Sequence, residues 1–146
     1  MTRFDVIKER LLLDSEISTL TLGKIYNQNA PTEVTNTVSG LTDKTAFPFI
    51  IIRQIGSQSS PMGNANIRDY IYVIESYNTI GLDRAEILAK HVKNALNNNA
   101  AANLAHAETE MMFAFLKSEV NYYTNEGGDI IHQCDVNVQI RFKETI

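Results

Sequence analysis

Metal binding is the first chemistry to test in this sequence, because imidazole and thiolate are the groups zinc selects. The candidates are His91, His106, His132 and Cys134. His132 and Cys134 stand two apart near a strand start, where alternation puts both side chains on one face. Zinc sites need three or four ligands and no second cluster stands in the sequence, so structural or surface roles are expected and no metal is assigned. Cys134 is the only cysteine, which rules out an intramolecular disulfide and a cysteine cluster.

The other catalytic patterns are incomplete. His106-Ala107-Glu108 has the form of the first half of the signature with which zinc deaminases activate water, but the Pro-Cys-x-x-Cys half is absent. Gly56 follows a strand-like run, yet no Gly-x-Gly-x-x-Gly or Gly-x-x-x-x-Gly-Lys element exists to cradle a phosphate. Ser57, Ser59 and Ser60 lack a nucleophile elbow and suit a turn. The acid pairs Glu108 with Glu110 and Glu126 with Asp129 would need a shielded cleft to exchange protons. Tyr70, Tyr72, Tyr77, Tyr122 and Tyr123 fall on or beside strand-like runs. Without interleaved basic residues they point to core or protein-interface packing, not to base stacking.

With no catalytic set and aromatic strands, a chain that works by assembling and not as an enzyme is the expectation, and composition is that of an ordinary soluble globular protein. The chain has 146 residues, 44% hydrophobic and 21% charged, as for one ordinary globular domain spanning 1–146. A formal net charge of -4 argues against general nucleic-acid binding, which clustered Lys and Arg drive. No uninterrupted apolar stretch approaches the ~18 residues that span a bilayer, and Leu11 to Leu13 is too short for a signal-peptide core. Synthesis in the cytoplasm, no membrane partner and no cofactor are the expectations.

The elements that must position these residues follow from periodicity. Phe4, Ile7, Leu11, Ile17 and Leu20 fall at helical spacing, with Arg3, Lys8, Glu9 and Arg10 for the wet face. Lys24 to Tyr26 suggests a short strand, and Asn27 to Ala46 a long loop in which Val34, Val38 and Leu41 fasten the chain or form a short hairpin. Phe49 to Ile55 reads as a strand buried on both faces, started by Pro48. After the polar stretch Gly56 to Asn66, Ile67 to Tyr77 reads as its antiparallel partner.

A second helix follows, capped by Asp83 with Glu86 three residues on, striped by Leu88, Val92 and Ala95 or Leu96, and ended at Asn97 to Asn99. Ala100 to Leu116 is ambiguous between helix and strand, with a strand favoured from about Met111 to Tyr122. Gly127-Gly128 turns the chain into a last strand, where Val136, Val138, Ile140 and Phe142 alternate with Asp135, Asn137, Gln139 and Arg141. The fold class expected is α+β: a mostly antiparallel sheet of four to five strands with two amphipathic helices packed on one face.

Element order and hydrophobic pattern carry one resemblance over nearly the whole chain. A helix ending near "LTLGKIYNQNAP", the strands "FPFIIIRQIGS" and "IRDYIYVIESYN", the helix "DRAEILAKHVKNAL" and a closing strand pair resemble the tail-terminator proteins of long-tailed bacteriophages, including the minor tail protein U type. The resemblance implies a virion protein that caps the tail tube as a ring, typically a hexamer, stops tube polymerisation and presents the surface that joins the head. Its implied partners are copies of itself, the tail-tube protein and the head-tail connector, with DNA only passing through the lumen. No family motif assigns residues here. A head-completion adaptor is the runner-up, and a small enzyme or ligand-binding domain with a cleft beside the sheet is a third reading. From the sequence, the interface candidates are Gln58, Met62, Asn64 and Asn66 at the hairpin tip, with Tyr122 and Tyr123 near the other loop.

Overall fold

The run Phe49 to Ile52 is buried at every residue, and a strand that hides both faces must lie inside a layered structure. The computed structural model describes residues 2–29, 33–35, 42–44, 48–59, 66–78, 82–97, 109–126 and 129–144. Its elements are α1 (Arg3–Leu12), α2 (Ser15–Thr21), β1 (Ile25–Asn27), β2 (Glu33–Thr35), β3 (Thr42–Lys44), β4 (Phe49–Ser59), β5 (Ile67–Asn78), α3 (Leu82–Asn97), β6 (Thr109–Glu126) and β7 (Asp129–Glu144). Five strands form one sheet in the order β1-β4-β5-β7-β6, antiparallel except where β1 runs parallel to β4. This is an α+β fold.

The register explains which face the helices choose. Ile52 stands opposite Ile74 and Ile74 opposite Val136, while Tyr72 faces Val138 and Tyr70 faces Ile140. These form one apolar face, against which Ile7 and Leu11 of α1, Ile17 of α2, and Leu88, Val92 and Leu96 of α3 are packed. Each such side chain, fully removed from water, contributes on the order of 1.5–3 kcal/mol. The alternate residues make the opposite face, where Asp69 pairs with Arg141, Arg53 with Glu75, and Asn137 with Ser118.

Several expectations need correction. The single helix over Phe4 to Leu20 is two helices, because Asp14 adopts an extended conformation and caps the second, its Oδ1 accepting from the N–H groups of Glu16 (2.9 Å) and Ile17 (3.1 Å). Its other oxygen lies 3.1 Å from His91 Nδ1 on α3. Asp14→Ala is expected to cost about 1–2 kcal/mol through the lost cap, with Asp14→Asn recovering most of it, read from urea midpoints.

Arg10 is not on a wet face, whereas Arg3 keeps 30% of its side chain exposed. Arg10 is buried and donates from Nε to the carbonyl of Ala95, 3.1 Å away near the end of α3, where a cation is favoured by the helix dipole. Strand β4 runs on through Gly56 to Ser59, so that part of the expected polar loop is paired with β5. A bulge between Gln54 and Gly56 accommodates the extra residue. Helix α3 begins at Leu82, which puts Asp83 inside the first turn instead of at the cap. Residues 33–35 and 42–44 pair as a short antiparallel hairpin containing Val34, whereas Val38 and Leu41 lie outside the described residues.

Candidate interaction surfaces

The histidines and the cysteine have structural surroundings. His91 is committed to Asp14, and His106 lies outside the described residues. Alternation does bring His132 and Cys134 to the same face. Cys134, however, is fully buried beside Ala89 and Val136, and donates from Sγ to Glu119 Oε1 at 3.2 Å. Burial pushes its thiol far above the ordinary range, so it is an inert thiol. The ring of His132 packs at 6.4 Å from that of Tyr123, with a buried Nδ1 that has no hydrogen-bond partner. Among the described residues no group of three or more His, Cys, Asp or Glu side chains is arranged to hold a metal ion.

One cavity, of about 360 Å³, lies between the start of α1, the end of β1 and the sheet, lined by Thr2, Arg3, Phe4, Asn27, Gln28, Gln54, Tyr72 and Glu144. Arg3 dominates it. Its Nη1 meets Glu144 Oε1 at 2.8 Å, and its guanidinium sits 3.9 Å over the ring of Tyr70. Burial raises the Tyr72 phenol, which stays protonated and donates to Gln54 at 3.5 Å. This wall is a polar network around a fixed cation, whose Nε is buried without a hydrogen-bond partner. The one aliphatic hydroxyl in its lining, that of Thr2, donates to Asp5 Oδ2 at 2.8 Å as part of the cap of α1.

The larger opportunity is the perimeter of the sheet. Strand β6 is the last in the order, so its outer side has no strand partner among the described residues. From Lys117 to Asn121 its side chains are exposed on both faces. Val120 is 48% exposed and Tyr123 72%. At the opposite margin β1 covers β4 only along Ile50 to Ile52, and Gln28 closes that contact by donating to the Ile52 carbonyl at 3.0 Å. From Arg53 to Ser59 the outer side of β4 has no strand partner among the described residues, and Ile55 at the bulge is 58% exposed.

The sequence-predicted interface residues fall at the two ends of this frame. Gln58 is exposed on β4, opposite Asp69. Asn66 is an exposed turn residue whose carbonyl accepts from the N–H of Glu144 at 2.8 Å. Met62 and Asn64 lie outside the described residues. Tyr122 stands in β6 opposite Gln133, and Tyr123 opposite His132, at the far end from Gln58. The sequence reading missed Ile55, Phe115, Val120 and Ile130, all exposed. An unbroken strand with no alternation of burial was their only signal.

The sequence matches no protein-family model and no curated protein. The fold is similar to that of a chain in the solved structure of the virion of a native gene transfer agent (GTA) particle, with a TM-score of 0.61 and 14% identity. The likeness covers 97% of this chain and 94% of that one.

Proposed function

We propose that this chain is a structural virion protein of a phage-like particle, and within that class a tail terminator that closes as a ring on the end of the tail tube. The observation that carries the reading is the fold likeness to a chain of a gene transfer agent virion, which spans nearly the full length of both. The element order resembles the tail-terminator family independently of that likeness. A ring needs two different surfaces on each copy that meet around a rotation axis, and the sheet supplies two different margins, β6 and the far part of β4. The function then resides in contacts with neighbouring copies, with the tube and with the head connector, in the virion tail.

The Arg3 cavity, of ligand size and built around a fixed guanidinium, is the observation that favours a ligand-binding domain as the second reading.

Solution mass combined with a tube-joining assay tests the proposal. The expected result is a closed oligomer, in free solution or on purified tail tubes, that blocks further tube growth. A strictly monomeric protein that also fails to join tubes sinks the ring. Joining to filled heads but not to tubes would move the assignment to a head-completion adaptor, and a stoichiometric small molecule in the purified chain would favour a ligand-binding domain.

A further inference from the structure

We infer that the Arg3 cavity is a binding site for an uncharged, polyhydroxylated small molecule of the size of a single sugar. This rests on the ligand-binding reading of the cavity and does not depend on assembly with other copies.

The cavity is preformed. Its cation is held by Glu144 Oε1, 2.8 Å from Nη1, and by the Tyr70 ring, 3.9 Å from the guanidinium. Strand β1 ends at the cavity, where Gln28 takes a left-handed backbone conformation with φ 69° while its N–H donates to the Ile52 carbonyl at 3.0 Å. A side chain disfavours that conformation, and such strain gathers at ligand sites.

The polar groups of the lining are under-used. Gln54 Oε1 accepts from both Arg3 Nη2 and the Tyr72 hydroxyl, and both contacts are 3.5 Å long, well beyond the ~2.7–3.0 Å of a good hydrogen bond. Arg3 Nε is enclosed and Nη1 is engaged, which leaves Nη2 for a new partner. The side chains of Asn27 and Gln28 make no hydrogen bond among the described residues. A ligand hydroxyl can accept from Arg3 or Tyr72 and donate to Gln54 Oε1, because it carries both a proton and lone pairs.

Charge balance selects the ligand class. Arg3 and Glu144 cancel, and among the described residues the lining holds no other Lys, Arg, Asp or Glu. An anion would meet Glu144 as well as Arg3, and a cation the reverse. An uncharged ligand meets no such opposition. The carboxamides of Asn27, Gln28 and Gln54 each donate and accept, as a sugar hydroxyl does, whereas a carboxylate only accepts and an ammonium only donates. The volume of about 360 Å³ lies near the lower end of the ~300–1,000 Å³ of small-molecule sites, which suits one sugar and not an oligosaccharide.

The experiment titrates the isotope-labelled full chain with glucose, galactose, mannose and N-acetylglucosamine, and separately with acetate, succinate and inorganic phosphate at the same millimolar concentrations. The expected result is that at least one sugar, and none of the anions, moves the side-chain NH₂ resonances of Asn27, Gln28 and Gln54. Asn27→Ala and Gln28→Gly should each weaken that binding about three- to tenfold, as for one lost hydrogen bond. Gln28→Gly should keep the melting midpoint near that of wild type, because glycine adopts the left-handed conformation without strain, and the weaker binding is then not the result of a weaker fold. Sugar binding that both variants leave unchanged would lie elsewhere and overturn the inference. Anions that move the same resonances as strongly as any sugar would overturn the uncharged ligand and leave the ligand-binding reading standing. No shift with any of these compounds would overturn both, and the cavity would hold water alone.

Discussion

Phe142→Ala is expected to lower the stability of the protein by about 3–5 kcal/mol, the range for deleting a fully buried aromatic ring. Phe142 has no exposed surface, and its ring meets that of Tyr70 edge-on at 6.0 Å. It sits on the helix side of β7, opposite Arg68 of β5 and beside Met111 of β6, so it ties the last hairpin to the middle of the sheet. Strand neighbours on both sides hold the backbone in place, and the surroundings cannot collapse to fill the void. Against a total of roughly 5–15 kcal/mol for a typical domain, such a loss moves the chain close to unfolding at 37 °C. Urea denaturation at pH 7 measures it directly. Phe142→Leu, which keeps most of the volume, should cost less than half as much; equal losses for the two variants would mean that the ring is not in a packed core.

The helix side of the sheet was legible in the sequence because burial there follows the pleat. Val136, Val138, Ile140 and Phe142 alternate with polar neighbours, and all four are buried. Ile50, Ile51 and Ile52 of β4 were legible for the opposite reason, since an unbroken apolar run fits a strand covered on both faces, but the burial expected as far as Ile55 stops short of it, where the bulge leaves Ile55 58% exposed. The polar half of β4 was not. Gly56, Ser57, Gln58 and Ser59 have turn-like chemistry, yet the partner strand β5 supplies a ladder whatever the side chains are, and tertiary pairing overrides local preference.

Asp14 hid its cap in the same way. Its flanks keep helical spacing, and the break shows only as one short acceptor side chain inside a periodic run. Arg3 and Arg10 were assigned to water by their charge, although long stems let a guanidinium sit at a helix end or over a ring while its carbons are buried. The margins of the sheet were the least readable feature. An edge is a property of strand order, which no local pattern encodes, and Val120 looks like any other strand valine until β6 proves to be outermost.

Asp69→Ala should also destabilise the protein, through electrostatics on the other face. Asp69 is 2% exposed, and its carboxylate accepts from Arg141 Nε at 2.7 Å, Arg141 Nη2 at 3.1 Å and Gln139 Nε2 at 2.6 Å. Removing it deletes three hydrogen bonds to a carboxylate that is itself almost wholly out of water, two of them from Arg141, and the urea midpoint at neutral pH should fall clearly. The pH dependence identifies the mechanism. The Arg141 guanidinium holds the Asp69 carboxyl below its ordinary range, so the folded state favours the ionised form. Its contribution is therefore fully present above the unfolded value near ~3.9 and is lost as pH falls through the lower folded value. Wild type and Asp69→Ala should differ most at neutral pH and converge in strong acid, as urea midpoints across that range would show. The double variant Asp69→Ala/Arg141→Met should recover part of the loss, because it also removes the charge that the carboxylate balanced and keeps apolar volume. A double variant as unstable as the two single losses added together would show that the residues act independently, and that the pair on this face is not what the Asp69 carboxylate stabilises.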